Sequence, residues 1–346
     1  EGARVAVIDA GAAVPAATRA AAGMLAPSFE YGELPAALGV ALYHFGAHSL
    51  ALWRDYAPAL EEETGVFIDY RASGMLGVAC DEDGAVQLRE QATQTTALGG
   101  AAEMVSGDDA RAMEPALSAK VAAALHAPDD AQVDPRRLTA ALRASLTERR
   151  ATFIAGKALR ADAGRGGFSV ALESGETIAA DKVALASGAM GLAPKGLVHP
   201  VKGEATALAM EEGLFTRVIR APGAYLCPKA EGRLVIGATE EKGRDDLTVA
   251  PEAVAGLRAN AARAVPALDG AAELERWAGL RPGTPDSAPI LGRDGEGRFL
   301  ALGHYRNGVL HAPAAAEALA ALILGRRGPV DIAPFGPERF TAGQDG

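Results

Sequence analysis

The 346-residue chain has only two cysteines, Cys80 and Cys227, and six histidines. Two cysteines cannot build a disulfide framework, and they form no CxxC pair for metal or redox chemistry. A reducing cytoplasm is therefore the expected setting. No apolar stretch reaches the roughly 18–20 residues that a membrane-spanning helix needs. The longest candidate, Pro313 to Leu324, is interrupted by Glu317. No targeting signal is expected either: Glu1-Gly2-Ala3-Arg4 runs straight into Val5-Ala6-Val7-Ile8, which is too short for a signal peptide's apolar region. Basic residues are outnumbered 34 to 44, for a net charge of −10. That balance disfavours nucleic acid or an anionic membrane as the main partner. Also missing are a GxxxxGK[ST] phosphate loop, an HExxH zinc motif, a GxSxG nucleophile elbow and a GxGxxG dinucleotide fingerprint.

What is present is a globular composition, 49% hydrophobic and 23% charged, enough for a sizeable core. The length suggests two domains. Residues Arg4 to Asp9 read as a buried parallel strand. Ala36 to Glu63 and Asp81 to Thr96 have helical spacing, with strand signals between them over Val66 to Ala79. Ser106 or Asp108 caps a further helix, and Asp134-Pro135 opens one that runs to about Arg149. Short strands follow over 153–154, 159–161, 168–172, 177–178 and 182–186, then several between Glu204 and Thr239. A helix over Pro251 to Val265, a strand over Phe299 to Leu302 and a helix from about Pro313 complete the pattern. Strand–helix alternation broken by antiparallel-looking blocks points to an α/β chain of two interleaved, discontinuous domains.

Few segments carry chemistry. His44 and His48 have the i, i+4 spacing of a helical metal pair but no third ligand nearby, so an ordinary helix face is the expectation. Asp9 closes the first strand, where dinucleotide-binding sheets place an acid against a ribose hydroxyl. Thr18 to Pro27 is a run of small residues with Gly23, which permits a flat ligand close approach to the backbone. Two C-terminal motifs set an arginine among glycines: Trp277-Ala278-Gly279-Leu280-Arg281-Pro282-Gly283-Thr284 and Gly303-His304-Tyr305-Arg306-Asn307-Gly308-Val309-Leu310. A rigidly presented guanidinium suits bidentate capture of a carboxylate. The second motif ends a strand and opens a helix, whose N-terminal N–H groups favour negative charge.

Together with Ser73-Gly74-Met75-Leu76, Ala184 to Gly188, Pro200-Val201-Lys202-Gly203-Glu204 and Arg233 to Thr239, these segments resemble the FAD-dependent D-amino acid oxidase family, and within it the glycine oxidase group. The resemblance follows the family's order over nearly the whole chain. It implies a Rossmann-like FAD-binding domain (1–55, 120–203 and 272–346) interleaved with an antiparallel or mixed-sheet substrate domain (56–119 and 204–271). Asp9 would hold the adenosine ribose, and Ala158 would meet the adenine through its backbone. Ala17, Thr18, Ala22, Gly23 and Met24 would line the pyrophosphate and ring. His304, Tyr305, Arg306, Asn307, Gly308, Val309 and Leu310 would wrap the flavin's pyrimidine end. Arg281 and Tyr225 would hold the substrate carboxylate, with Arg306 beside the substrate or flavin.

The implied reaction is oxidative deamination of glycine, sarcosine or a D-amino acid to the 2-oxo acid, ammonia and hydrogen peroxide, with dioxygen as acceptor and a supply role in making the thiamine thiazole. It needs no side-chain acid or base, and no metal. Non-covalent FAD is expected, since cysteine is absent from Ala278 to Thr284, where some relatives attach flavin. Two alternatives stay open: a dehydrogenase passing electrons to another acceptor, and an inactive remnant serving as a binding module. The family's first strand and GxGxxG turn would precede Glu1, so weak FAD retention is a further expectation for the sequence as it stands. Glu240 stands where glycine oxidases have an apolar methionine and is expected to face solvent. Phe29 and Tyr31 would narrow the pocket. Relatives are often homo-oligomers, and no segment here identifies an interface.

Overall fold

The structure, a computed structural model, describes residues 2–11, 16–30 and 36–340. Its helices begin where local chemistry supplies a cap. Asp81 accepts from the Gly84 N–H at 2.8 Å and opens the helix Glu82–Ala97. Ser106, rather than Asp108, accepts from the Asp109 N–H and opens Gly107–Met113. Asp134 accepts from the Arg136 and Arg137 N–H groups ahead of Pro135–Glu148. Each cap satisfies N–H groups that a first helical turn leaves without partners.

The chain is mixed α/β. The strand Ala6–Asp9 pairs in parallel with Thr152–Ala155, Ile8 opposite Ile154. Three antiparallel strands follow, Ala158–Gly164, Gly167–Leu172 and Thr177–Ala180. Ala184–Leu185 runs parallel to Phe299–Leu302, which pairs antiparallel with Ile290–Arg293. A mixed sheet of nine strands forms the other half of the molecule. Its longest ladder joins His199–Ala209 to Glu273–Gly283, with Val201 opposite Arg281. The strand His199–Ala209 contains the expected domain division at 203/204, and Glu273–Gly283 begins just after the one at 271/272.

Alternation within the large sheet decides what faces the site. Leu76, Ile219, Leu226 and Ile236 point to one face, under Leu257 and Ala261 of the helix Pro251–Ala264. Met75, Val218, Cys227 and Val235 point to the other, packed against Ala22, Ala26 and Phe29. Tyr225 shares that second face. The sheet thus presents Tyr225 to the small-residue segment that sequence patterning singles out.

Three expectations need correction. The strand Ala6–Asp9 is parallel as expected, but none of its residues is buried, because among the described residues it pairs with Thr152–Ala155 alone. Of Val66 to Ala79 only Met75–Ala79 is strand. Asp69 and Gly74 take left-handed φ values of 56° and 77°, which an extended run cannot contain. The last helix begins at Gly308, not Pro313, and runs to Ile323. The Ser49 hydroxyl, from the long helix Ala36–Thr64, donates to the Leu310 carbonyl at 2.6 Å and accepts from the Ala314 N–H at 3.2 Å. It thereby bridges the helix ladder beside the proline, which has no N–H of its own to give.

Candidate active site

One cavity of about 340 Å³ lies between the large sheet and the Ala17–Met24 segment. Its sheet wall carries Arg281 and Tyr225; the opposite side carries Ala17, Ala22, Gly23 and Met24; Tyr305, Arg306, Asn307 and Val309 close the third side. The structure therefore brings together residues separated by more than 250 positions of sequence.

The Arg281 guanidinium donates to the Thr239 carbonyl from both Nη1 and Nη2 at 3.1 Å, and to the Lys202 carbonyl from Nη1 at 3.3 Å. Among the described residues no carboxylate pairs with it. Its charge is held in place but not neutralised. Two glycines make this geometry: a Cβ on Gly203 would overlap the Arg281 guanidinium, and one on Gly237 would overlap the Tyr225 ring. Both functional groups lie flat over bare backbone. Burial pushes the Tyr225 hydroxyl up to about 12, so it stays a neutral hydrogen-bond donor at physiological pH.

A second charge cluster shares the cavity. Glu30, largely shielded from solvent, accepts from Arg220 Nη1 at 2.8 Å and pairs with Arg306 Nε at 2.9 Å. Burial alone would raise the Glu30 carboxyl, but the guanidiniums of Arg306 and Arg220 outweigh it and hold it below the usual carboxylate range. Glu240 is exposed, as expected, yet it also lines the cavity, with Oε2 3.6 Å from Arg306 Nη1. Solvent is not its only neighbour. Neither Glu30 nor Arg220 is flagged by any sequence motif. The faint signal for Glu30 is an acid set directly after the apolar run that ends at Phe29.

Other singled-out residues lie off the cavity lining. Asp9 accepts from the Gly11 N–H at 2.9 Å, and its carbonyl accepts from Gly156 N–H, close in sequence to Ala158. Thr18 is exposed on the short helix Ala17–Ala20. His304 Nδ1 lies 3.4 Å from His311 Nδ1; burial pushes His304 down to about 4 and holds His311 well below the usual imidazole range, so both rings are neutral. Gly308 opens the last helix, and the Leu310 carbonyl accepts from Ser49 and Trp53. Phe29 is buried under the Arg220 guanidinium, 5.0 Å from its ring centre. Tyr31 lies outside the described residues. His48 meets Glu317 at 3.8 Å, and the described residues hold no cluster of three or more metal-capable side chains. No helix among them is long and apolar enough to cross a membrane.

The residues present fit a flavin. The Ala17–Gly23 wall offers methyl groups and backbone, and Gly23, at φ 82°, sits where a Cβ would collide with the Val133 carbonyl and the Pro135 ring. A flat ring system can lie against such a surface. Asn307 gives the last helix no side-chain cap, which leaves its first N–H groups available to an anionic edge.

Comparison with known proteins agrees. The family model described as FAD dependent oxidoreductase (DAO) matches residues 1–322. The glycine oxidase of Geobacillus kaustophilus is 35% identical, over 96% of this chain and 89% of that protein. The bifunctional protein ThiO/ThiG of Synechocystis is 34% identical over 94% of this chain and 48% of its own length. The crystal structure of the Geobacillus kaustophilus glycine oxidase superposes with a TM-score of 0.88 at 33% identity, over 96% of this chain and 91% of that one. The chain, similar over nearly its whole length to amino acid oxidases, belongs to the DAO family of FAD-dependent oxidoreductases, and its cofactor is FAD.

Proposed function

We propose that the cavity oxidises glycine or another small amine, sarcosine or a D-amino acid, to the 2-oxo acid with release of ammonia (methylamine from sarcosine) and hydrogen peroxide. The observation that carries the reading is Arg281: a cavity-lining guanidinium fixed by two carbonyls and paired with no carboxylate among the described residues. A half-buried positive charge left in that state has room for an anionic ligand, and a carboxylate meets its fork in two parallel hydrogen bonds. Tyr225, neutral and on the same wall, adds a third donor.

Ala17, Thr18, Ala22, Gly23 and Met24 would line the pyrophosphate and flavin ring, with Tyr305, Asn307, Gly308 and Val309 at the ring's pyrimidine end, and Asp9 and Ala158 would hold the adenosine. Bound FAD supplies a two-electron acceptor for the substrate Cα–H, and dioxygen reoxidises it. The chain's own residues then have a positioning task. Arg281 and Tyr225 fix the carboxylate, which sets where the Cα and amine lie. No acid or base is required of His304 or His311, whose neutral rings face one another. Overall, glycine, water and dioxygen give glyoxylate, ammonia and hydrogen peroxide. Likeness to a protein named ThiO/ThiG supports a supply role in making the thiamine thiazole, and two unpaired cysteines suit a reducing cytoplasm.

A peroxide-coupled screen of glycine, sarcosine and D-amino acids on the FAD-loaded protein tests the reading. Peroxide with a small amine is the expected result. Dye reduction without peroxide would replace dioxygen with another acceptor. No turnover of any amine by flavin-replete protein would overturn the assignment.

A further inference from the structure

We propose that Glu240 is a specificity-determining residue, whose carboxylate at the cavity mouth restricts ligands to those with a single carboxylate. The inference rests on the cavity being the substrate site, as proposed above. Among the described residues five charged side chains line that cavity: Arg220, Arg281 and Arg306, with Glu30 and Glu240. The two acids differ in how they are held. Glu30 is 9% exposed and gripped by two guanidiniums at 2.8 and 2.9 Å. Glu240 is 35% exposed, and the cations beside it, Arg306 Nη1 at 3.6 Å and Lys242 Nζ at 3.9 Å, are beyond hydrogen-bond reach. The neighbouring Glu241 turns elsewhere, toward Lys202 and Arg244.

Of these two acids Glu240 is therefore the one whose charge is less cancelled by a cation. A ligand anchored on Arg281 through its first carboxylate would bring a second anionic group into that field. In a part-buried cavity the repulsion is stronger than in water, and a like charge set against a competing ligand is a common route to selectivity. A hydrogen, a methyl or an N-methyl group at the same place meets no such penalty. The Glu240→Gln variant keeps the shape beside the Tyr305 hydroxyl and removes only the charge.

The test compares wild type with Glu240→Gln, both FAD-loaded, by calorimetric titration with propionate and with glutarate, and by kcat/KM for glycine and for iminodiacetate. The expected result is a rise of about tenfold or more in the preference for glutarate over propionate in the variant. The iminodiacetate-to-glycine ratio shifts the same way, and Glu240→Asp retains the wild-type discrimination. Ratios unchanged or lowered in Glu240→Gln would overturn the proposal. Because the titrations need no turnover, they decide the role of Glu240 even if wild type oxidises neither amine, an outcome that would count against the amine-oxidation reading alone.

Discussion

Arg281 donates to the Thr239 carbonyl through both terminal nitrogens, each at 3.1 Å. A backbone acceptor orients the guanidinium without cancelling its charge, so the residue is preorganised for an anion. Replacing Arg281 with Ala should raise the KM for a small amino acid strongly while leaving FAD bound. Loss of a charge-assisted pair in a half-buried site costs about 2–5 kcal/mol, or some tens to thousands-fold in affinity. Steady-state kinetics alongside the flavin absorbance per protein check this. An unchanged KM would remove Arg281 from the substrate site.

Glu30 joins Arg220 to Arg306 across the cavity floor, and its depressed titration has a consequence for acid stability. A carboxyl held lower in the folded than in the unfolded chain contributes stability above its unfolded value, about 4.3, and that contribution disappears as pH falls through the folded value. Glu30→Gln should lower the unfolding midpoint at neutral pH, by the equivalent of about 3 kcal/mol for a broken buried pair. It should also flatten the loss of stability between about pH 4.5 and lower pH. Thermal melts of both proteins across that range are the measurement. Parallel acid curves would show that Glu30 is not linked to folding in this way.

What the sequence made legible was local or motif-borne. Asp81, Ser106 and Asp134 announce helix starts because capping acts within three residues. Arg281 stands out because glycine and proline flank it. The Glu30–Arg220 pair was invisible, since its members are 190 positions apart and meet only where Phe29 packs on the sheet face beneath Arg220. The roles of Gly203 and Gly237 were equally hidden, because a close approach depends on what a distant strand brings over them. Pro313 misled for a physical reason: proline favours a first helical turn, but here a hydroxyl from another helix, that of Ser49, accommodates it in the interior.

Behind Arg281, the Lys202 ammonium is 2% exposed and meets Glu204 at 3.0 Å and Asp246 at 3.2 Å. Glu204, fully buried, also accepts from the Ala250 N–H. Lys202→Met should destabilise the protein by about 3–5 kcal/mol, because it strands the Glu204 charge in the core. Adding Glu204→Gln should recover part of that loss, since the buried charge goes with it. Denaturation of the two single variants and the double variant makes a cycle. A double variant as unstable as the sum of its parts would mean that the two residues do not form a coupled pair.

Covalent flavin attachment through a cysteine requires a reactive thiolate near the ring, and neither cysteine supplies one. Cys227 lies on the sheet face shared with Tyr225 but is wholly buried, and burial pushes its thiol up to about 11. Cys80 is exposed, outside the cavity lining, and partial burial with the Asp81 carboxylate raises its thiol as well. Both remain protonated near neutral pH, so FAD should be held by contacts alone. Precipitating the holoenzyme with acid should leave a colourless pellet and a yellow supernatant. Colour that stays with the pellet would require a bond to some other side chain and would overturn the non-covalent assignment.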